Sequence, residues 1–209
     1  MIKIYLLDFS GAEADNFSTS ALPSFVAETK NDMRRRESFF SYLLLSYAYY
    51  ENFKATLPPV VKDENGKPYF NNGEIYFNIS HSDNLAAVII SDEGEVGIDV
   101  QKTSQRVSER LIEKTLKEDL YIEKSESLTE PVFLKADNGK MIPFTPRASG
   151  AAREDSFFRK WTEREALAKA DGRGLSYISK VNADDFALIC EAEFEAFGSS
   201  YSLSAVKKK

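Results

Sequence analysis

Across its 209 residues the chain carries one cysteine, Cys190, and one histidine, His81. An intrachain disulfide cannot form. Zinc sites built from four cysteines, or from two cysteines and two histidines, are excluded as well. Stability must therefore come from buried apolar surface, and a chain of this length can build a large core. At about 150 residues per domain, it amounts to one compact unit with two lobes or to two small domains. A Ser-His-Asp triad could use only His81. Lys and Arg number 27 against 33 Asp and Glu, and the net charge of −6 argues against general nucleic-acid affinity. With 43% hydrophobic and 29% charged residues, wholesale disorder is excluded. No segment has the apolar length of a membrane helix. The opening run Met1–Phe9 is too short for a secretory signal and carries Asp8 within it, so it reads as a strand. The expected location is the cytoplasm.

Periodicity supplies the elements. Residues 2–9 read as a largely buried strand. Residues 31–54 read as a helix, with Phe39, Leu43, Ser46 and Tyr50 on one face and Asn31 or Asp32 as its cap. Pro58-Pro59 ends that pattern. Three short strands are predicted at 74–80, 85–91 and 96–101, the last two forming a hairpin through Asp92–Glu95. Residues 104–120 read as a charged amphipathic helix. Residues 124–156, broken by prolines and glycines, read as a long excursion containing a short hairpin. A helix is expected from about Asp155 to Ala170, with Gly172 as its C-cap. Strands follow at 186–197 and 201–206, and Lys207–Lys209 reads as a frayed end.

The P-loop, an intact Gly-x-Gly-x-x-Gly, His-Glu-x-x-His and Cys-x-x-Cys are all absent, which disfavours P-loop hydrolysis, common dinucleotide redox folds and zinc hydrolysis. Three stretches carry candidate chemistry. Phe77-Asn-Ile-Ser-His-Ser82 ends a strand in hydroxyls and an imidazole. Such an end can hold a phosphate, or it can be a turn that satisfies its own backbone. In Gly97-Ile-Asp-Val-Gln101, Asp99 and Gln101 project from one strand face. A carboxylate and an amide oxygen suit a hard cation such as magnesium, and equally the polar face of a half-exposed strand. In Trp161-Thr-Glu-Arg-Glu-Ala-Leu-Ala-Lys169, Glu165 and Lys169 share a helix face. As an ordinary surface ion pair they would contribute about 0.3–0.5 kcal/mol.

Gly66-Lys67-Pro68, Asn78–Ser82, Gly97–Asp99 and Trp161–Lys169, taken in this order, resemble the signature of the 4′-phosphopantetheinyl transferase superfamily. The resemblance is greatest to its longer, surfactin-synthetase-activating (Sfp-like) type. It runs from about residue 60 to 101 and from 157 to 175, and is fainter at 30–50 and 201–206. It implies an α+β fold of two similar α/β subdomains related by a pseudo-twofold axis, with the active site between them. The division is placed near residue 102, giving subdomains 1–102 and 103–209 in a monomer. It implies transfer of the 4′-phosphopantetheine arm of coenzyme A to a serine of an apo acyl or peptidyl carrier protein, releasing 3′,5′-ADP, with Mg2+ required. By the same resemblance Asp99 and Glu165 are metal carboxylates. Glu165, or a water it orients, is the general base, and Lys169 stabilises the pyrophosphate. Ser80, His81, Lys67 and one arginine of Arg34–Arg36, for which Arg36 is taken, hold the nucleotide phosphates. Pro68 and Asn78 fall within the same binding motifs. Neither nucleic acid nor membrane is an expected partner.

The chain departs from the family pattern at Gln101, where an acid is common, and at Arg164, where lysine is usual before the glutamate. Gln101 is kept as the third candidate metal ligand. It also supports the alternative of a non-catalytic coenzyme A or carrier-protein binding module descended from the enzyme. Lys124, Lys135, Lys140, Arg147, Arg153, Arg159 and Lys160 lie in or near 124–156. Part of a basic face for docking acidic carriers is expected from 140–160, against the alternative of a solvated loop. Cys190 reads as a small packed hydrophobe and Trp161 as core.

Overall fold

The structure is a computed structural model that describes residues 1–14, 23, 26, 30–103, 107–117, 120–148, 157–196 and 198–209. It is a mixed α/β protein. Strand β1 (Ile2–Asp8) leads to helix α1 (Asp32–Phe53), the small hairpin β2 (Val60–Lys62) and β3 (Pro68–Phe70), and strands β4 (Tyr76–Ser82), β5 (Leu85–Ser91) and β6 (Val96–Lys102). Helix α2 (Glu109–Lys117), strands β7 (Pro131–Asp137), β8 (Lys140–Pro143) and β9 (Arg147–Ala148), and helix α3 (Phe157–Asp171) follow. Two 3-10 turns precede β10 (Phe186–Ala196) and β11 (Ser199–Lys208).

The strands form a five-stranded sheet, β4-β5-β1-β7-β8, and a four-stranded sheet, β6-β11-β10-β9. Alternation along β1 explains the layering. Tyr5 and Leu7 face a core shared with Ala86, Val88 and Ile90 of β5 and with Phe40, Leu44, Leu45 and Ala48 of α1. Ile4 and Leu6 face a second core with Leu85, Ala87 and Ile89 on one side and Val96, Ile98, Val100, Leu203 and Ala205 of the other sheet on the other. The two sheets thus pack against each other, with α1 on the outer face of the first. A third core of Ala166, Leu167, Ala170, Leu188 and Val206 fixes α3 to the second sheet. Each Leu or Ile buried this way contributes roughly 1.5–3 kcal/mol. β5 is buried along its whole length, which accounts for its unbroken apolar run.

Asn31 caps α1, its Oδ1 accepting the Arg34 amide at 2.9 Å. Gly172 ends α3 with φ +85° and donates its amide to the Ala168 carbonyl. Two expectations are corrected. β5 and β6 do not form a hairpin: β5 pairs with β4 and β1, and β6 crosses to the other sheet and pairs antiparallel with β11. Lys207 and Lys208 are not frayed, because they continue β11 opposite Ala187 and Phe186. The Lys209 amide binds the Asp185 carbonyl and its ammonium pairs with Glu123. The excursion does hold a hairpin, β7-β8, and β7 joins the first sheet parallel to β1.

Sheet membership changes between Ser91 and Val96, ahead of residue 102, and β7-β8 return to the first sheet. The pairing order β4-β5-β1 recurs as β10-β11-β6. In each case a hairpin lies beside an earlier strand, and a long helix separates strand and hairpin in sequence. Among the described residues no helix is long and apolar enough to cross a membrane.

Candidate active site

β6 has β11 on one edge only, so the amides on its other edge need partners from elsewhere. Alternate side chains of β4 supply them. Asn78 Oδ1 accepts the Ile98 amide at 3.1 Å, Ser80 Oγ the Val100 amide at 3.3 Å, and Ser82 Oγ the Lys102 amide at 3.0 Å. The period of two that sends Asn78, Ser80 and Ser82 toward β6 sends Phe77 and Ile79 toward α1. His81 follows them: its Nδ1 lies 3.6 Å from Glu37 of α1. The Asn-x-Ser-His-Ser stretch is therefore split by the pleat, with its oxygens used to join the sheets.

This lateral ladder fixes Asp99 and Gln101 on the face toward β4. Ser80 Oγ donates to Asp99 Oδ1 at 2.7 Å, and Gln101 Nε2 donates to Ser82 Oγ at 3.3 Å. Helix α3 closes the site from the other side. Lys169 Nζ donates to Asp99 Oδ1 at 2.7 Å and to Ser80 Oγ at 2.9 Å. Asp99 is buried, with 6% of its surface exposed. Burial pushes the Glu165 carboxyl above the usual glutamate range, and the Asp99 charge adds to that. Lys169 and Arg164 offset part of it. Two carboxylates and an ammonium thus converge from a strand and a helix that lie 66 residues apart (165 − 99) in sequence. Lys67, Pro68, Asn78, Glu165, Lys169 and Gly172 line a cleft of about 310 Å³ beside them.

Two residues of the motifs explain this approach. At Gly97 an added Cβ would lie 2.0 Å from the Ala166 carbonyl oxygen and 2.6 Å from the Ala170 amide nitrogen, so only glycine lets α3 lie this close to β6. Thr162 is fully buried, and its hydroxyl meets Ser204 Oγ at 2.9 Å and Ser202 Oγ at 3.3 Å on β11. Gly97, Thr162 and Ser82 escaped the sequence reading as positioning groups. A lone glycine within a strand pattern was the one signal available for the first.

The other expected phosphate ligands are engaged with protein. Arg36 donates to Asn84 Oδ1 at 2.7 Å and to the carbonyls of Phe9 at 2.6 Å and Ala12 at 3.1 Å. Its guanidinium also lies over the Phe9 and Phe40 rings. Lys67 Nζ meets Glu95 at 2.5 Å and the Ala170 carbonyl at 3.1 Å. His81 is partly open to solvent, and desolvation holds it below the ordinary imidazole range against the pull of Glu37. It lines a second cleft with Met33, Glu37, Ser82, Gln101 and Lys102. Trp161 is half-buried rather than core, and stacks on Phe157 at 5.6 Å. Cys190 is buried as expected. Arg159 pairs with Glu163 and Glu191, and Lys124 with Glu191, so both face acids of their own chain. Arg153 lies outside the described residues.

No family model matches the chain. Among curated proteins, the 4′-phosphopantetheinyl transferase AcpT of Salmonella typhi is 31% identical over 173 residues, covering 82% of this chain and 77% of the relative. The chain belongs to the 4′-phosphopantetheinyl transferase family. AcpT of Escherichia coli K12 is 27% identical over 82% of this chain and 76% of its own. The 4′-phosphopantetheinyl transferase gsp of Aneurinibacillus migulanus is 33% identical over 54% of this chain and 38% of its own. In this family member, the residues that meet around Asp99 come from the Asn78–Ser82, Gly97–Asp99 and Trp161–Lys169 stretches.

Proposed function

We propose that this protein transfers the 4′-phosphopantetheine group of coenzyme A to a serine of an apo acyl or peptidyl carrier protein, releasing 3′,5′-ADP. The observation that supports this best is that Lys169 joins Asp99 and Ser80 and, together with Glu165, lines one cleft. In this reading the carrier serine oxygen attacks the β-phosphorus. A P–O bond forms there, and the bond to the bridging oxygen of the departing 3′,5′-ADP breaks. Glu165, raised by burial toward the range of a working base, accepts the serine proton directly or through a water. Lys169, held by Asp99 and Ser80, would neutralise pyrophosphate charge.

The donor set suits Mg2+. Among the described residues no three of His, Cys, Asp and Glu form a metal cluster, so a dedicated all-protein cage is absent there. Mg2+ typically takes one or two carboxylates and completes its shell with phosphate oxygens and water. Asp99 and Glu165 would hold it, with the Gln101 amide oxygen as a neutral third ligand. When bound, it would supply charge neutralisation at the pyrophosphate.

The recurring strand, helix and hairpin order supports the two-subdomain architecture of the surfactin-synthetase-activating type, with both halves of the site in one monomer. For a basic docking face, the exposed Lys140 and Arg147 remain the candidates, since Arg159 and Lys124 face acids of the chain itself.

The test is the intact mass of a panel of apo carrier proteins incubated with this protein, coenzyme A and Mg2+. A gain of one phosphopantetheine, lost with a chelator and with Glu165→Ala, supports the reading. Coenzyme A binding with no mass gain on any carrier would favour the binding module, for which Gln101 speaks.

A further inference from the structure

Lys67 is the cation of the Gly-Lys-Pro stretch, yet its ammonium does not stand free in the cleft. It is 15% exposed and sits 2.5 Å from the Glu95 carboxylate and 3.1 Å from the Ala170 carbonyl at the end of α3. The two partners differ in kind. The Ala170 carbonyl is fixed by the helix, whereas Glu95 is 42% exposed at its side chain and lies just before β6. Its backbone is held, the carbonyl accepting the Lys208 amide at 2.9 Å, so only the side chain is at liberty to move. The Lys67 stem passes over Gly172, where an added Cβ would lie 3.3 Å from Lys67 Cδ. Lys67 thus lines the cleft that Glu165 and Lys169 also line, while its charge is already answered by a carboxylate of the chain itself.

We infer that Glu95 is an internal anion that competes with a ligand phosphate for the Lys67 ammonium, and so sets the affinity of the cleft. The inference rests on the reading of this cleft as the coenzyme A site. A phosphate entering beside Lys67 takes over the ammonium, and the Glu95 side chain turns outward to water. The Ala170 carbonyl keeps Lys67 in place throughout the exchange. Glu95 would then hold the ligand-free cleft closed to weak anions and would assist release of 3′,5′-ADP by retaking the ammonium.

The sign of the effect separates this role from a structural one. A residue that merely supports the cleft weakens binding when altered, whereas an internal competitor strengthens it. The probe is 3′,5′-ADP, titrated calorimetrically into the wild type, Glu95→Gln, Lys67→Met and the Lys67→Met/Glu95→Gln pair. Glu95→Gln is expected to bind roughly twofold to fivefold tighter, a range set by exposed ion pairs that this half-buried one should at least reach. With Lys67→Met in place, the second substitution should change nothing, because the contested group is gone. Equal or weaker binding by Glu95→Gln overturns the inference. So does tightening that persists without Lys67, which would reflect the general field of a carboxylate. If the wild type binds no 3′,5′-ADP and modifies no carrier, the reading of the cleft fails together with it. If the wild type does both and Glu95→Gln does not tighten binding, this inference alone fails.

Discussion

Gly97→Ala changes one hydrogen for a methyl group at the closest approach of α3 to β6. The added carbon would fall 2.0 Å from the Ala166 carbonyl oxygen, 2.6 Å from the Ala170 amide and 2.9 Å from Ala170 Cβ. The first two atoms belong to helix backbone and cannot turn aside. Clearing ordinary contact near 3.4 Å requires α3 to retreat from the sheet by about 1 Å or more. Overpacking of this kind costs typically 1–3 kcal/mol, and a backbone obstacle puts the cost at the upper end. At roughly 2–4 °C per kcal/mol for a chain of this size, 2–3 kcal/mol lowers Tm by about 4–12 °C. The same retreat draws Lys169 away from Asp99, whose contact is 2.7 Å, and Glu165 with it. Transfer to a carrier should therefore fall by more than instability explains at a temperature where the variant is still folded. Thermal unfolding followed by circular dichroism, paired with a transfer assay well below Tm, reads both effects. A variant that melts within a degree of the wild type and keeps full activity would refute the argument that glycine sets the helix-to-strand distance.

Three more outcomes follow from particular contacts. Asn78→Ala leaves the buried Ile98 amide without its partner and should cost about 1–3 kcal/mol in denaturant unfolding; a loss below 0.5 kcal/mol would show that β6 does not depend on the β4 ladder. Asp8 is 2% exposed, and desolvation raises its carboxyl above the ordinary aspartate value despite two hydrogen bonds from Ser10. A carboxyl raised in the native state favours folding most below its unfolded value, and that advantage is lost as pH climbs through the native one. Asp8→Asn should thus melt above the wild type at pH 7, with the gap closing near pH 3; identical curves at pH 7 would contradict it. Cys190, buried and with its thiol pushed up to about 12, should resist a disulfide reagent at pH 8 until the protein unfolds, and rapid labelling of the native state would show the site to be open.

Local pattern carried much of the fold. A cap at Asn31 or Asp32, the span of α1, the stop at Gly172 and all three strand runs between residues 74 and 101 were legible because each follows from spacing and caps. What pattern cannot carry is partner choice. β5 and β6 are both apolar runs separated by a short turn, and their local signals are those of a hairpin. Only burial of each strand between different layers sends them to different sheets. β7 pairs parallel with β1 across more than a hundred residues, which no local signal encodes. Lys207 and Lys208 looked like a loose end because their charges hide backbone pairing.

The site divides in the same way. Asp99 and Gln101 on one face, and Glu165 and Lys169 on one helix turn, were readable from periods of two and about 3.6. That Asp99 and Glu165 belong to one site was not readable from spacing, and came only from the family resemblance; the contact of Lys169 with Asp99 was in neither. Ser80 reads as a phosphate ligand because its hydroxyl ends a strand in a polar cluster, and Asn78 falls within the same motif. In the folded chain the same oxygens accept the orphan amides of β6. Arg36 and Lys67 likewise read as phosphate contacts, and in the folded chain both are held by groups of the chain itself.

The central claim is that Asp99 and Glu165 act as one unit in phosphopantetheine transfer. Single-turnover transfer rates for Asp99→Asn, Glu165→Gln and the double variant test it most directly. Groups that act together are non-additive when removed. The account predicts a double variant no slower than the worse single one. A double variant slowed by the product of the two single effects would contradict it.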